Sequence, residues 1–217
     1  MNKTGRTQLR RLRQRNGQLK IGTLNTRSLY KPGGLANLIS VLKSYCIQIA
    51  ALQETRLVGA DYLSSGGFTF FCSCHPTRHN FGVGFAVADE LLQNVIDFQA
   101  VNERMCVLRV KGRWFNLSFI NIHAPTEEKS DAVKDEFYES LDTIYDRCPP
   151  DDVKIVLGDC NAKIGREEGL LPFIGRHSLH QESNDNGLRI ANFAASRNMS
   201  VKSTMFPHRD IHKGTWR

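Results

Sequence analysis

The sequence has no long apolar run, and no stretch approaches the roughly 18 apolar residues that a membrane-spanning helix needs. It begins without the apolar segment of a secretory signal and contains no internal repeats. Its six cysteines are scattered, so we expect reduced thiols rather than disulfides in a chain of this length. These features favour an intracellular globular protein, nuclear or cytoplasmic, that does not act at a membrane.

The formal net charge of +7 comes from the start of the chain. Residues 1–20 hold seven basic side chains and no acidic one, which leaves 22 basic and 22 acidic residues in 21–217. Residues 1–19 are low in apolar content and their positive charges repel one another, so we interpret them as a disordered basic tail before a domain at 20–217. A solvated segment, a phosphate-binding or nuclear-address segment and a mitochondrial transit segment remain open as its role.

From Lys20 onward, apolar strands alternate with amphipathic helices. Helical spacing occurs at Leu35, Leu38, Ile39 and Leu42, over residues 131–147, and after the Asn-Asp-Asn-Gly segment at 184–187. Strands are predicted in KIGTLNTRSL, CIQIAALQET, FTFFCS, VGFAVA, KIVLGDCNA, a short SVKS, and the two arms of MCVLRVKGRWFNLSFINIHAP, with Lys111-Gly112 as their turn. This alternation favours a mixed α/β (α+β) sandwich.

Four of these strands end in polar side chains at the same relative place. The side chains are Asn25, Glu54, His123, and Asp159 with Asn161. Strand ends at one edge of packed sheets converge on a common cleft, so we expect a single site. Carboxylates with a few neutral partners suit Mg²⁺, or Mn²⁺ in its place, completed by a substrate phosphate. An Asp that orients a water against phosphorus is what metal-assisted phosphodiester hydrolysis needs.

The end of the last of these strands has a further local feature. In an extended segment, side chains two positions apart point to the same side, so Asp159 and Asn161 are expected to hold one water or phosphate jointly.

Each polar residue also has an ordinary structural explanation when it is taken alone. Asn25 fits an Asx-turn, Glu54 fits an exposed ion pair with Arg56, and His123 fits a half-buried histidine with a partner. Asp159 is harder to explain this way, because it ends a strongly buried strand. The order and spacing of the whole set favour a functional site.

Two other motifs carry less weight. Cys72, Cys74, His75 and His79 invite a zinc interpretation, but no second ligand pair with finger-like spacing follows them. The glycines at 82 and 84 open no helix of a βαβ unit, so we expect no dinucleotide site and no small-molecule cofactor beyond the metal.

The motifs LNTRSL, LQET, NIHAPT, LGDCNA and TW occur in the order of the endonuclease/exonuclease/phosphatase superfamily, which the chain resembles from about Lys20 to its end. The longer string NIHAPTEEK, LGDCNAKIGRE, SNDNGLRIANFA and STMFPHRDIHKGTW resembles the endonuclease domain of LINE retrotransposons of the RTE kind. It also resembles the craniofacial development protein 2 family, which is similar to those domains. The resemblance implies a DNase I-like two-layer β-sandwich flanked by helices, with DNA as the partner.

The resemblance also implies roles for individual residues. Glu54 matches the Mg²⁺-binding glutamate, and Asn25 matches the amide beside the metal and phosphate. Asp159 matches the carboxylate that orients or deprotonates the attacking water, Asn161 matches its partner, and His123 stands where relatives carry a Tyr or His donor. The substrate-binding positions implied are Arg27 and Trp216.

The sequence departs from the resemblance at its end. The family continues after TW with motifs that include IDH and SDH, whereas the chain stops at Arg217. We therefore expect the last strands of the fold to be missing. We also expect turnover to be impaired, because acid–base groups such as those of the absent motifs contribute ~10²–10⁴-fold to the rate. Three functions remain open: a Mg²⁺-dependent DNA endonuclease, a non-enzymatic copy that binds nucleic acid or protein, and a phosphatase of a small molecule or lipid.

Overall fold

The computed structural model describes residues 18–59 and 62–214, which build two mixed β-sheets packed face to face. The first sheet has the order β1-β2-β5-β4-β3 and the second has the order β6-β7-β8-β9. Their strands are β1 (Ile21–Asn25), β2 (Ile49–Gln53), β3 (Tyr62–Ser65), β4 (Phe68–Ser73), β5 (Val83–Ala88), β6 (Val95–Asn102), β7 (Met105–Val110), β8 (Leu117–His123) and β9 (Val153–Asp159). The pairs β1–β2 and β8–β9 are parallel, and the other neighbouring strands are antiparallel.

Helices cover the outer faces of both sheets. They are α1 (Gly34–Tyr45), α2 (Asp131–Arg147) and α3 (Asp185–Ser196). Helix α1 packs its buried Leu38, Ile39 and Leu42 on the first sheet, while α2 and α3 pack on the second. The layers therefore run helix, sheet, sheet, helix, which confirms the predicted two-layer sandwich flanked by helices.

The inner strands are apolar on both faces because both faces are covered. In β2, Ala50 and Leu52 face the core under α1, whereas Ile49 and Ala51 face the core between the sheets. This explains why the strand reads as a continuous apolar run rather than an alternating one.

The structure differs from the expected elements in several places. The SVKS segment contains a 3₁₀ turn at Lys202–Thr204 instead of a strand, and the turn between β7 and β8 is a six-residue loop at 111–116 rather than Lys111-Gly112 alone. Strands β3 and β6 were not expected, because they lie at sheet edges and their side chains are mostly exposed or half-buried.

None of the helices in the described part of the chain is both long enough and apolar enough to cross a bilayer. The six cysteines are all free thiols, and only Cys46 is exposed.

Candidate active site

The carboxyl ends of β1, β2, β8 and β9 meet at one edge of the sandwich, because both pairs are parallel and β9 contacts β1 and β2. Asn25 pairs with Gln53 at the end of the first pair, and His123 pairs with Asp159 at the end of the second. An open cleft of about 450 Å³ lies at this edge, lined by Asn25, Glu54, Arg56, Asn80, Phe81, His123, Thr126, Asp159 and Asn161. The structure thus places all five polar residues of the strand ends at one cleft.

Asn25 joins the two sheets at the floor of the cleft. Its Nδ2 donates to Glu54 Oε1 at 2.8 Å and to Asp159 Oδ2 at 3.0 Å, while its Oδ1 accepts from the backbone N–H of Arg27 at 3.1 Å. The last contact is the Asx-turn that the sequence suggested. Because that turn occupies Oδ1, the amide nitrogen faces the cleft and lies against both carboxylates.

Glu54 occupies a tight turn directly after β2, with a left-handed φ of 50°. Arg56 Nη2 donates to Glu54 Oε2 at 3.0 Å, so the ion pair with Arg56 is also present. Burial raises the pKa of Glu54, but the hydrogen bonds from Asn25 and Arg56 together hold it below its ordinary value. Glu54 is therefore a carboxylate at neutral pH.

Asp159 and Asn161 reach the cleft through a turn rather than an extended segment. Strand β9 ends at Asp159, and Asn161 has a left-handed φ of 46°. Asp159 Oδ1 accepts from the backbone N–H of Asn161 at 3.0 Å, which makes a second Asx-turn. The expected strand alternation is thus wrong for this pair, although both side chains line the cleft.

His123 is 6% exposed, with Nε2 3.9 Å from Glu54 Oε1. Burial lowers the pKa of His123 and the nearby charge of Arg104 lowers it further, against the opposing effect of the two carboxylates. The imidazole is therefore neutral at pH 7. Its Nδ1 is buried and has no hydrogen-bond partner among the described residues.

The remaining predicted site residues are not among the described residues that line the cleft. Arg27 is exposed beside the cleft and contacts it through its backbone N–H to Asn25. Trp216 lies outside the described residues. The cysteines of the zinc motif, Cys72 and Cys74, are buried in the core under α1.

Sequence reasoning missed a buried amide pair behind the cleft. Gln53 Nε2 donates to Asn121 Oδ1 at 2.7 Å, and Asn121 Nδ2 donates to the carbonyls of Leu52 at 2.9 Å and Gly84 at 2.7 Å. Gln53 and Asn121 are 1% and 0% exposed, so these bonds link the two sheets inside the core. The available signal was a polar residue inside each of two apolar strands, since such a residue requires a partner.

Phe81 and Arg104 were also missed. Phe81 lines the cleft, and the Arg104 guanidinium lies 4.1 Å from the centre of its ring. Arg104 Nη1 also donates to the backbone carbonyl of His123 at 3.1 Å. The sequence offers no periodic signal for either residue, because both lie in connections between strands.

The chain matches curated relatives, but it covers only part of their length. It is 31% identical over 198 residues to craniofacial development protein 2 of Bos taurus, covering 90% of this chain and 33% of that protein. It is 30% identical over 161 residues to the transposon TX1 uncharacterized 149 kDa protein of Xenopus laevis, covering 71% of this chain and 12% of that protein. The chain thus spans about a third or less of these relatives. No protein-family model matches it.

Solved structures share its fold. The endonuclease domain of TRAS1, a telomere-specific non-LTR retrotransposon, superposes with a TM-score of 0.56 at 14% identity, covering 82% of this chain and 71% of that one. An AP endonuclease from Archaeoglobus fulgidus superposes with a TM-score of 0.55 at 19% identity, covering 83% of this chain and 71% of that one. These likenesses confirm the DNase I-like fold.

Proposed function

We propose that this chain, a homologue of craniofacial development protein 2 with the fold of the endonuclease/exonuclease/phosphatase superfamily, is a Mg²⁺-dependent phosphodiesterase domain of retrotransposon-endonuclease type that cleaves DNA. One observation carries the proposal: Glu54 and Asp159, carboxylates from different sheets, accept from the same Asn25 amide nitrogen. Two carboxylates held this close form an acidic pair that attracts a cation, and a single neutral amide does not supply that charge. Such a pair, open to a cleft, suits a cation and a phosphate.

The donor set fits Mg²⁺, which prefers hard oxygen ligands and keeps several waters. Glu54 would hold the ion, with Asn25 beside it, and Mn²⁺ would take the same ligands. Among the described residues, no three His, Cys, Asp or Glu side chains form a metal-binding group by themselves. The ion would therefore take its other ligands from water and substrate phosphate. When bound, it supplies Lewis-acid stabilisation of the negative charge on the phosphate oxygens.

The other residues of the cleft then have distinct roles. Asp159, held by Asn25 on one oxygen and by the Asn161 backbone on the other, orients or deprotonates the attacking water. Asn161, whose Nδ2 already donates one N–H to the Ala124 carbonyl at 2.8 Å, would offer its other amide N–H to the phosphate. The neutral imidazole of His123 donates a hydrogen bond to the phosphate or to the leaving oxygen.

DNA is the substrate class that the surroundings of the cleft favour. Arg27 and Arg56 carry exposed positive charge beside the carboxylates, where they would contact a phosphate backbone. Trp216, outside the described residues, remains a predicted substrate contact. The relatives named above include a transposon protein and a retrotransposon endonuclease domain. Action on DNA and free buried thiols are in keeping with a nuclear or cytoplasmic location.

The experiment is nicking of a supercoiled plasmid by the purified chain, with Mg²⁺ and with EDTA. We expect Mg²⁺-dependent relaxation that falls ~10²–10⁴-fold in Asp159→Ala, because a positioned acid–base group contributes that much. The matched control is Asp151→Ala, which removes an exposed carboxylate at the opposite end of β9. Nicking that persists in EDTA or in Asp159→Ala overturns the proposed function, and DNA binding without nicking supports a non-enzymatic role.

A further inference from the structure

The Asn-Asp-Asn-Gly segment that opens α3 contacts the turn that carries Asp159 and Asn161. We propose that Asn186 is a positioning residue that fixes this turn, and that residues 184–187 form a clamp for it. The catalytic consequence of this inference rests on the proposed function, whereas the structural consequence does not.

Asn186 is fully buried and donates hydrogen bonds to the two segments that follow β8 and β9. Its Nδ2 donates to the carbonyl of Pro125 at 2.9 Å, after β8, and to the carbonyl of Asn161 at 3.0 Å, after β9. Its Oδ1 is buried with no hydrogen-bond partner in the part of the chain that the structure describes. A side chain that uses both N–H groups and leaves its oxygen unpaired is present for its two donors, of which an aspartate carboxylate supplies none and a serine hydroxyl only one.

These bonds continue the β8–β9 ladder beyond its last pair. After His123 and Asp159 pair, the N–H of Ala124 donates to the Asp159 carbonyl at 2.9 Å. Asn161 Nδ2 then donates to the Ala124 carbonyl at 2.8 Å. Asn186 is the next link, and it closes the gap between the two chain segments where no backbone pairing remains.

The neighbours of Asn186 hold α3 against the same turn. Asn184 Oδ1 accepts from the N–H of Lys163 at 2.9 Å and from the N–H of Gly187 at 2.9 Å, so it caps the helix and binds the loop at once. A Cβ on Gly187 would lie 1.9 Å from the Lys163 carbonyl oxygen. Glycine is therefore required there for the helix to approach the loop.

Helix α2 and the loop before it support the clamp from behind. Lys134, 3% exposed, donates to Asp185 Oδ2 at 3.0 Å, and the Glu127 carboxylate accepts from the N–H of Asp185 at 3.1 Å and of Asn186 at 3.2 Å. Negative charge at this helix start is favourable, because its N–H groups point toward it. The clamp thus connects the core of the second sheet to the turn at the cleft.

The positioning role follows from the conformation of Asn161. Asparagine adopts this left-handed backbone more readily than most residues, and three contacts hold it here: the Asp159 carboxylate on its N–H, the Ala124 carbonyl on its side chain and the Asn186 amide on its carbonyl. Loss of the Asn186 bond releases the Asn161 carbonyl, which frees its side chain from Ala124 and the Asp159 carboxylate from the Asn161 N–H. The rate of the chemical step should then fall, while substrate binding on the rim of the cleft should be unchanged.

The test compares Asn186→Asp, which keeps the shape and removes the donors, with Asn37→Asp, the same change at an exposed position on α1. Backbone amide hydrogen exchange is followed by NMR on the ¹⁵N-labelled chain without metal or DNA. We expect exchange of the Asn161 N–H to rise about tenfold or more in Asn186→Asp, with the amides of Ile120 and Val156 in mid-ladder unchanged. Equal acceleration at all three positions, or none at Asn161, overturns the inference.

A milder variant keeps the test decisive if Asn186→Asp does not fold. Glu127→Ala removes only a partly exposed carboxylate that binds the N–H groups of residues 185 and 186, so we expect a smaller rise at Asn161 alone. In the nicking assay, the expected split is a lower kcat with KM unchanged in Asn186→Asp. An inactive wild type would refute the proposed function but would not affect the amide exchange result. Failure of the proposed function and failure of this inference are therefore distinguishable.

Discussion

Removal of the Asn121 side chain should destabilise the fold far more than an ordinary asparagine substitution. In Asn121→Ala, three hydrogen bonds are lost: one from Gln53 and two to the carbonyls of Leu52 and Gly84. All of these groups lie in the buried core between the sheets, so the partners that remain lose their direct hydrogen bonds inside the protein.

The expected size follows from that count. Each lost bond costs about 1 kcal/mol, and a buried group left unpaired costs about 1–3 kcal/mol, so the free energy of unfolding should fall by roughly 3–6 kcal/mol. For a chain of this size, a loss of that order should lower the melting temperature by about 6–24 °C.

Thermal and urea unfolding followed by circular dichroism measure this change. The matched control is Asn94→Ala, because Asn94 is only half-buried and its side chain makes one long contact of 3.5 Å to the Lys111 carbonyl. The control should change stability by less than about 0.5 kcal/mol. If Asn121→Ala melts within a degree of the control, the buried amides do not hold the sheets together.

Two further predictions concern pH and packing. Burial and the charge of Arg104 hold the pKa of His123 below its ordinary 6.5, so a plot of nicking rate against pH should be level near pH 7 and fall as the pH drops through that lowered value. Folding stability should likewise decline as the pH falls below 6.5, because the unfolded chain binds the proton more readily; His123→Gln should remove both effects. Gly158→Ala should cost roughly 2–4 kcal/mol in urea unfolding, because φ is 138° and the new Cβ would lie 2.0 Å from the Ile122 carbonyl oxygen. Gly169→Ala, where a Cβ meets nothing within 4 Å, should be close to neutral, and equal losses in the two variants would refute the packing argument.

The inner strands and the helices were predictable because their apolar periodicity reflects burial directly. The helix predicted over 131–147 has those bounds in the structure, although Val133, expected on its apolar side, is 42% exposed. Strand β6 was not predictable, because an edge strand with mostly exposed side chains leaves no alternating pattern. The SVKS segment looked like a strand, but the N–H of Val201 donates to the Phe173 carbonyl and the chain turns there.

The candidate site was predictable only as a set of strand ends. Polar residues that end apolar strands indicated which side chains reach the cleft. The bond from Asn25 to Asp159 joins residues 134 positions apart, and it depends on how the two sheets pack. No local sequence pattern indicates that two residues so far apart in the chain come into contact. The role of Asn186 was hidden for the same reason, since its partners follow two other strands.

The most direct test of a metal-dependent site at this cleft is the Mg²⁺ dependence of the nicking rate in Glu54→Gln. The substitution keeps the side-chain shape and removes the negative charge that would hold the ion. We expect the Mg²⁺ concentration at half-maximal rate to rise about tenfold or more, as a loss of roughly 1.4 kcal/mol in metal binding requires, while Glu136→Gln, an exposed glutamate on α2, leaves it unchanged. The same half-maximal concentration in Glu54→Gln and the wild type would contradict the assignment.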